Sequence, residues 1–423
     1  MSLAAPTVLE PADLAEAHAA VAGTPGALEF RGGGTKATWG APVERRDLLV
    51  STRRLDALVD HRPRDLVAEV EAGMPLRQLQ KLLAPHGQWL AVDPARTEAG
   101  ATVGGVFATD DAGPRRQRHG TLRDLVLGVT VVLSDGTVAR AGGRVVKNVA
   151  GYDLMRLLCG SLGTLGLVTS LIVRLHPLPE AGATVRLAAD ATTAVPLGRA
   201  LVRAVSGTLT AVRWDGRALH ARVEGRLPAV RAAAAQALAA AGAAVPGAAG
   251  EVLTGPDQEA AWRRMAEVVG GPPPAAPAGS PATAAPAAPL ETTARAVVLP
   301  GGLLPVASAL HEAAAAEGVE VELVSDVGLG LHTARLRGSD ARAHAAAVAR
   351  WRRAVSAAGG TVVLRDADAG VSRRVDAWLD PTAPPPDVLP LLRRLKAALD
   401  PDRRCAPGRA LGDAPQPQGA PST

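Results

Sequence analysis

The chain has 423 residues, of which 47% are hydrophobic and 21% are charged, so it is long and apolar enough for two or three domain cores. Its net charge of +5 comes from 46 basic residues interleaved with 41 acidic ones, without a run of five basic residues, which argues against nucleic-acid binding. Two cysteines, Cys159 and Cys405, are too few for a disulfide framework or a four-thiolate iron–sulfur cluster.

The N-terminal residues lack the basic start and apolar core of a signal peptide. Nowhere do about 18 uncharged apolar residues follow one another, as a membrane-spanning helix requires. We therefore expect a cytoplasmic protein that reaches an inner membrane only through partners.

The first lobe is predicted to span residues 1–87 and to contain a strand that runs directly into three glycines. Its predicted elements are, in order, a helix over Pro11–Ala22, a strand over Ala27–Arg31, strands over Leu48–Thr52 and Leu66–Glu71, and a helix over Pro75–Ala84. Consecutive backbone N–H groups in such a loop can converge on an anion, which favours a phosphate site, although a plain glycine turn would also explain the three glycines.

The second lobe is predicted over residues 88–180. Its predicted elements are a strand over Leu125–Leu133, an Asp135-Gly136 hairpin turn, a returning strand over Val138–Ala141, a helix over Tyr152–Leu158 and a strand over Leu167–Leu175.

The next region, residues 181–385, alternates strands and helices in two similar sets, which predicts an internally duplicated α+β cap. The first set has strands over 184–187, 208–214 and 218–223 and helices over 194–205 and 227–241; the second has strands over 294–299, 319–325, 330–336 and 361–364 and helices over 304–317 and 341–358. The Pro- and Ala-rich segment 270–290 and the tail 413–423 are predicted to be disordered, and 386–412 is a short return segment.

Four sequence blocks and a C-terminal ending occur in an order that resembles one flavoprotein family. They are Arg31–Lys36 (RGGGTK), Ala101–Val106 (ATVGGV), Gly113–Gly128 with GPRR and GTLRDLVLG, Lys147–Leu154 (KNVAGYDL), and Asp400-Pro401 followed by Pro407-Gly408-Arg409. The chain thus resembles the vanillyl-alcohol-oxidase-like proteins with a PCMH-type FAD-binding domain, and within them the FAD-binding subunits of bacterial glycolate oxidases (glycolate dehydrogenases). Neither GxGxxG after a first strand nor GxxxxGK[ST] is present, which disfavours a Rossmann site or a P-loop.

The resemblance implies an α+β fold in which a two-lobed PCMH-type FAD-binding domain precedes a duplicated, ferredoxin-like cap. Relatives that bind flavin covalently often carry a histidine where Gly34 and Thr35 stand, so it implies noncovalent FAD. The FAD-binding residues that it implies are Arg31, Gly32, Gly33, Gly34, Thr35, Lys36, Thr102, Val103, Gly104, Gly105, Gly120, Asp124, Gly163, Thr164, Gly166 and Val168.

The catalytic residues are not identified from the sequence. Weak candidates are cationic or titratable side chains in two of the blocks: Arg115, Arg116, His119 and Lys147. Catalytic relatives carry a metal-binding HVGDGNLH segment in the cap, where this chain reads Asp326–Thr333 (DVGLGLHT). Asp326 replaces the first histidine of that segment, Leu329 replaces its aspartate, and His332 is displaced by one position, which would send it to the other face of a strand. We therefore expect no metal site.

Both this departure and Ala406, where many relatives have asparagine, favour an accessory flavin subunit. By resemblance it would work with a second FAD subunit and an iron–sulfur subunit, oxidising glycolate, a 2-hydroxy acid, to glyoxylate and passing electrons to a quinone. Two alternatives remain: a stand-alone FAD-dependent hydroxy-acid or alcohol dehydrogenase, and a non-catalytic assembly subunit.

Overall fold

The computed structural model describes residues 7–144, 153–270, 289–380 and 387–409. The segments 270–290 and 413–423, predicted to be disordered, lie almost entirely outside these ranges, as do Lys147 and Tyr152. The elements before the cap are β1 (Thr7–Leu9), α1 (Leu14–Ala22), β2 (Leu28–Arg31), β3 (Leu48–Ser51), β4 (Leu58–Arg62), β5 (Val67–Glu71), α2 (Leu76–Leu83), β6 (Gln88–Trp89), α3 (Val103–Thr109), α4 (Arg116–His119), α5 (Leu122–Leu125), β7 (Val126–Val132), β8 (Val138–Gly142), α6 (Leu154–Leu158), β9 (Leu167–Arg174) and β10 (His176–Pro177).

Two larger sheets and one short strand pair organise this N-terminal part. A three-stranded parallel sheet has the order β1–β3–β2, a five-stranded antiparallel sheet has the order β4–β5–β9–β7–β8, and β6 pairs with β10. The strand predicted at Leu66–Glu71 lies in the second sheet and not with the first-lobe strands, because β5 pairs with β9 along its whole length. Local periodicity predicts a strand but not its partner, which explains this error.

The cap contains β11 (Ala181–Ala188), α7 (Ala194–Val205), β12 (Leu209–Trp214), β13 (Ala218–Gly225), α8 (Leu227–Ala244), β14 (Gly250–Leu253), α9 (Gly255–Gly270), β15 (Leu290–Val297), α10 (Leu303–Glu317), β16 (Glu320–Asp326), β17 (Leu331–Gly338), α11 (Ala341–Ala357), β18 (Thr361–Ala367) and α12 (Ala369–Ser372). The final described helix is α13 (Leu389–Leu399).

The cap strands form one eight-stranded antiparallel sheet in the order β14–β11–β13–β12–β16–β17–β15–β18. Its two halves have the same βαββαβ connectivity, since β14–β11–β13–β12 and β18–β15–β17–β16 repeat one strand order, and they meet where Trp214 pairs with Ser325. The predicted α+β class and duplicated ferredoxin-like cap are thus confirmed.

The two sheet faces of the cap differ in chemistry. One face is the apolar core under α7, α8, α10 and α11 and includes Val185, Ala294 and Leu364. Because side chains alternate along a strand, the opposite face carries the residues between them. Six strands, β11, β12, β13, β15, β17 and β18, each place an arginine there: Arg186, Arg213, Arg222, Arg295, Arg335 and Arg365.

Neither β14 nor α9 was predicted from the sequence. β14 is a short, exposed edge strand, and the Gly255-Pro256 start of α9 is typical of a turn. α9 packs on the arginine face through Trp262, Met265 and Val268.

Among the described helices, α8 is long and apolar enough, by length and composition alone, to cross a membrane. It packs on α7, β11 and β13 and buries Ala233, Ala237 and Ala241 in the cap core. Core helices of soluble proteins commonly meet the same two criteria.

Candidate functional site

A cavity follows the glycine loop after β2 and brings three separate stretches of the chain together. We call it the glycine-loop cavity. The predicted residues that line it are Arg31–Lys36, Thr102, Gly104, Gly105, Gly163, Gly166 and Val168. The structure therefore gathers most of the residues implied by the resemblance around one space, and their contact with FAD stays a prediction.

Glycine is required in the loop for two different reasons. A Cβ on Gly33 would collide with the carbonyl oxygen of Gly100, so only glycine allows this close backbone approach. Gly34 has a φ of 72°, in the left-handed region that disfavours other residues. The described hydrogen bonds use none of the backbone N–H groups from Gly33 to Lys36, which leaves these donors for a ligand.

Three cationic side chains on the cavity wall carry a buried nitrogen without a hydrogen-bond partner in the described part of the chain. These atoms are Nε of Arg31, Nζ of Lys36 and Nε of Arg409. Buried donors are costly when unpaired, so an anionic ligand with several acceptor oxygens satisfies the site. A diphosphate group such as that of FAD has this chemistry, and the residues present fit it.

Glu29 holds the cationic side chains at the start of the loop. Its carboxylate accepts a hydrogen bond from Arg31 at 3.0 Å and another from Arg46, and Arg409 lies 3.8 Å away. Burial by itself would raise the pKa of Glu29, but the charges of Arg409 and Arg31 and the hydrogen bond from Arg46 outweigh it and lower that pKa. Glu29 is therefore ionised and orients the arginines.

The α3 segment contributes surface to the cavity and few donors. The backbone N–H of Val103 donates to Met74, that of Gly104 to Ala72 at 2.8 Å, and that of Gly105 to the Thr102 hydroxyl at 3.1 Å. Thr102 is the N-cap of α3. These three amides already donate within the protein and are not available to a diphosphate. The structure therefore supports van der Waals contact between the Ala101–Val106 block and a ligand, but not hydrogen bonding from these amides.

Four predicted FAD-binding residues are not among the residues that line the cavity: Val103, Gly120, Asp124 and Thr164. The Val103 side chain is fully buried in the N-terminal core. Gly120 ends α4 with a φ of 75°, and Asp124 accepts a hydrogen bond from the Thr121 amide in a capping box at the start of α5. The Thr164 hydroxyl donates to the Ser161 carbonyl at 2.7 Å. Local structure accounts for each of them.

Lys36 connects the cavity to a buried charged cluster near the cap. Its Nζ lies 3.4 Å from Oδ2 of Asp111 and 5.9 Å from the centre of the Trp39 ring. Burial lowers the pKa of Lys36, Asp111 opposes this, and Arg96 and Arg365 add to the lowering. Arg96 donates to the Thr35 carbonyl and to Asp366 on β18, so the cap strand is tied directly to the loop.

The weak catalytic candidates have separate surroundings. Arg115 binds Glu224 of the cap with two hydrogen bonds, from Nε at 3.0 Å and from Nη2 at 2.5 Å, and does not line the glycine-loop cavity. His119 packs edge-on against His176 and Trp89, and burial, followed by the charges of His176 and Arg118, lowers its pKa to about 4. His119 is therefore neutral at physiological pH. Lys147 lies outside the described residues.

His332 lies on the same side of β17 as Ala334, in the apolar core under the helices, and its Nδ1 is 2.9 Å from the Ser325 hydroxyl. The structure therefore places it on the face away from the cap arginines. Among the described residues there is no group of three or more His, Cys, Asp or Glu able to hold a metal ion.

Arg295 and Arg365 of the cap are the residues that sequence reasoning missed. Arg365 stacks over the Trp39 ring at 4.3 Å, and Arg295 donates to the Thr333 hydroxyl at 3.1 Å. Burial, and then repulsion from Arg365, lowers the pKa of Arg295 to about 9. Burial also lowers the pKa of Arg365, and the charge of Arg116 adds to the lowering at both arginines. Neither forms an ion pair within the described ranges, whereas Arg213 binds Asp326 with two hydrogen bonds at 2.7 and 2.8 Å.

Arg295 had one signal in the sequence, its position between Ala294 and Ala296 in a predicted strand, whereas Arg365 directly follows the predicted strand 361–364 and precedes Asp366. That signal cannot say what the arginine faces. Arg409 had a stronger signal, because it belongs to the Pro407-Gly408-Arg409 ending that the resemblance already includes.

Residues 6–142 match a protein family whose model is described as an FAD binding domain. The chain is 40% identical over 159 residues to glycolate oxidase subunit GlcE of Escherichia coli strain K12, covering 38% of this chain and 45% of that protein. It is 40% identical over 149 residues to a D-lactate dehydrogenase of Archaeoglobus fulgidus, covering 35% of this chain and 33% of the relative. Glycolate oxidase subunit GlcD of Bacillus subtilis is 35% identical over 150 residues, covering 36% and 32%. The chain thus spans less than half the length of each of these relatives.

Among solved structures, an alkyldihydroxyacetonephosphate synthase has a similar fold, with a TM-score of 0.67 and 17% identity over 95% of this chain and 75% of that chain. The comparisons confirm the resemblance to the PCMH-type FAD-binding family, the α+β fold, and FAD as the cofactor of this domain type.

Proposed function

We propose that the chain uses FAD to oxidise a 2-hydroxy acid and that it does so as one subunit of a glycolate oxidase-like complex, because residues 6–142 match a family described as an FAD binding domain. Two of the relatives named above are glycolate oxidase subunits and one is a D-lactate dehydrogenase. Both kinds of name denote oxidation of a 2-hydroxy acid.

One observation carries the substrate class. Arg295 and Arg365 are cations without a carboxylate partner in the described structure, and Arg365 lies against Trp39 beside the end of the glycine loop. A guanidinium group in such surroundings favours a carboxylate ligand, which it binds through two parallel hydrogen bonds. The carboxylate of a hydroxy acid would supply the missing anion.

The reaction removes a hydride from the hydroxyl-bearing carbon and a proton from the hydroxyl group, giving a 2-oxo acid. Bound FAD supplies the hydride acceptor. In this proposal Arg295 and Arg365 bind and orient the carboxylate, and Lys36 with Asp111 forms the polar wall nearest the loop. In this proposal the group that accepts the proton comes from a partner subunit, so hydroxy acid does not reduce the flavin of the chain alone.

The proposal of a complex is supported by a physical argument as well as by the names of the chain's relatives. With only Cys159 and Cys405, the chain lacks the thiolates for an iron–sulfur cluster. Electrons that leave the flavin toward a quinone would therefore pass through a partner. We propose a second FAD subunit and an iron–sulfur subunit for this role, with the chain itself in the cytoplasm.

The test is an anaerobic absorption spectrum of the FAD-loaded chain, before and after glycolate or D-lactate. For a subunit of a complex, we expect flavin bands that stay oxidised until the partner subunits are added and then bleach. Bleaching by the chain alone would identify a stand-alone dehydrogenase, and a purified chain that binds no FAD would identify an assembly subunit. Either result overturns the proposal of an FAD-using subunit that depends on its partners.

The role of the cap arginines is tested by titrating the FAD-loaded chain with hydroxy acid. Replacing Arg295 by methionine keeps an unbranched apolar side chain and removes the donors, and is expected to weaken binding about tenfold or more. The matched control is Arg186→Met on the same sheet face, because Arg186 is already paired with Glu251 and is partly exposed. Equal effects of the two substitutions would contradict the assignment.

A further inference from the structure

A second cavity lies between the FAD-binding part and the cap and shares no lining residue with the glycine-loop cavity. Its volume is about 770 Å³, and its walls are α2 and the segment around Asp93 on one side and β13 with α9 on the other. We call it the Arg222 cleft. Cavities of this size typically hold a drug-sized ligand, whereas a two-carbon acid would leave most of the space unfilled.

The most informative residue in the cleft is Arg222 on β13. Its side chain is only 4% exposed, and neither Nε nor Nη2 has a hydrogen-bond partner among the described residues. The nearest carboxylate oxygen with which it is paired, Oε1 of Glu259, lies 4.0 Å from Nη2, beyond hydrogen-bond distance. Burial and then the charge of Arg115 lower the pKa of Arg222 to about 10. A buried guanidinium with two unused donors is expensive unless an anion completes it.

A second unused donor lines the same cleft. Nε1 of Trp89 is buried and has no hydrogen-bond partner in the described ranges. The neighbouring cation, Arg115, is already occupied, since it binds Glu224 through two nitrogens and lies over the Trp89 ring at 5.1 Å. The free hydrogen-bonding capacity is therefore on Arg222 and Trp89, and it requires acceptor atoms.

The cleft also has flat apolar walls. The guanidinium of Arg222 stacks over the Trp262 ring at 4.4 Å, and the Trp89 ring lies on the opposite, FAD-domain side. Aromatic rings beside an arginine favour a planar apolar group attached to an anion, because the ring faces contribute contact area and the guanidinium binds the charge.

We propose that the Arg222 cleft binds an organic acid with a flat apolar body, whose carboxylate accepts hydrogen bonds from Arg222 and Trp89. This site is separate from the proposed flavin reaction. The two cavities are nevertheless neighbours, because Asp93, Pro94 and Ala95 line the cleft and the next residue, Arg96, donates to the Thr35 carbonyl of the glycine loop. The same chemistry would suit a hydroxy acid on its way to the flavin, so the experiment must distinguish the two sources.

The experiment is calorimetric titration of the FAD-loaded full chain with benzoate and, as a neutral matched ligand, benzamide. We expect benzoate to bind and benzamide to bind about tenfold more weakly or not at all, since only the carboxylate satisfies the guanidinium. Equal binding of the two, or no benzoate binding up to about 10 mM, would overturn the proposal without any variant.

Two variants localise the site. Arg222→Met removes the donors and keeps an apolar side chain over Trp262, and should weaken benzoate binding about tenfold or more. Arg264→Gln is the control, because Arg264 lies on α9, the helix that carries Trp262, but lines a different cavity. Unchanged flavin absorption and an unchanged melting temperature show that Arg222→Met is folded. Benzoate binding as tight in Arg222→Met as in the wild type would overturn the assignment to this cleft.

Competition distinguishes the two sources of the carboxylate. If the two sites are separate, benzoate should bind equally well with and without saturating glycolate. Strict competition between the two acids would overturn the separate site and place the substrate in the cleft. Because the readout is heat of binding, a failure of flavin reduction does not affect this result.

Discussion

Lys36 and Asp111 face each other across 3.4 Å, from Nζ to Oδ2, with side chains that are only 4% and 2% exposed. Lys36 lines the glycine-loop cavity, whereas Asp111 is not among its lining residues. A buried pair of this kind contributes little net stability, but the removal of one partner leaves an uncompensated charge. Variants of this pair can therefore separate an effect on the free energy of unfolding from an effect on FAD binding.

Lys36→Met is expected to lower the free energy of unfolding of the apoprotein by about 3 kcal/mol, since Asp111 is left buried and unpaired. The double variant Lys36→Met/Asp111→Asn should recover most of that stability and still bind FAD about tenfold more weakly, because the cavity has lost a cation. Thermal unfolding and calorimetric FAD titration measure the two effects. FAD binding by the double variant at wild-type strength would show that Lys36 does not contact the cofactor.

Glu29 should make the protein sensitive to acid. Its folded-state pKa is lowered, because the charges of Arg409 and Arg31 and the hydrogen bond from Arg46 together outweigh the opposing effect of burial. A carboxyl of this kind stabilises the fold above its ordinary pKa of about 4.5, and the contribution is lost as the pH falls through the lowered value.

Glu29→Gln is therefore expected to lose about 2–4 kcal/mol at pH 7 and to show a flatter dependence of stability on pH below about 4.5. The measurement is the unfolding free energy from pH 3 to pH 7. The control is Glu312→Gln on the exposed face of α10, which should change stability by less than about 0.5 kcal/mol. Parallel pH curves for Glu29→Gln and the wild type would contradict the prediction.

The folded-state pKa of Asp93 is shifted upward, in the direction opposite to that of Glu29. Burial raises its pKa to about 6, even though Arg115, Arg222 and Arg213 oppose the shift. A carboxyl with a raised folded-state pKa binds its proton more tightly in the folded state, so its contribution favours folding increasingly as the pH falls from about 6 toward 4. Asp93→Asn should stabilise the protein by about 1–3 kcal/mol at pH 7.5 and by less at pH 5. Melting temperatures at the two pH values test this, and a loss of stability at pH 7.5 would mean that the ion pair with Arg115 outweighs the burial.

Ala406 has a φ of 42°, in the left-handed region, and is buried beside the first lobe, where its N–H donates to the Leu28 carbonyl. A Cβ in this conformation costs about 1–2 kcal/mol. Ala406→Gly is therefore expected to stabilise the protein by about 1 kcal/mol, whereas Ala235→Gly, on the exposed face of α8, should destabilise it by about 1 kcal/mol. Chemical denaturation distinguishes the signs, and destabilisation by both substitutions would contradict the prediction.

The backbone conformation at position 406 also accounts for the asparagine that the family resemblance implies there. Asparagine tolerates the left-handed region better than other residues with a Cβ, so it would suit the φ of 42° at this position. The position therefore has a structural reason for asparagine that needs no contact with substrate or flavin.

The amino-acid sequence by itself determined the features that depend on neighbours along the chain. Local periodicity and backbone preference predict the strand before Gly32, the loop that depends on Gly33 and Gly34, and most of the strands and helices of the duplicated cap. The four blocks and the C-terminal ending added the family resemblance and the cofactor that it implies.

Only the tertiary structure decided which side chains meet across long separations. Arg115 follows the glycine-rich blocks, but it is occupied by Glu224, which lies 109 residues later and on another domain. Arg295 and Arg365 come close to each other because β15 and β18 are neighbouring strands of the cap sheet, and Arg365 meets Trp39 of the first lobe. Periodicity shows which side of a strand a residue occupies, whereas strand order and domain contact decide what that side faces, and these are set by the packing of the whole chain.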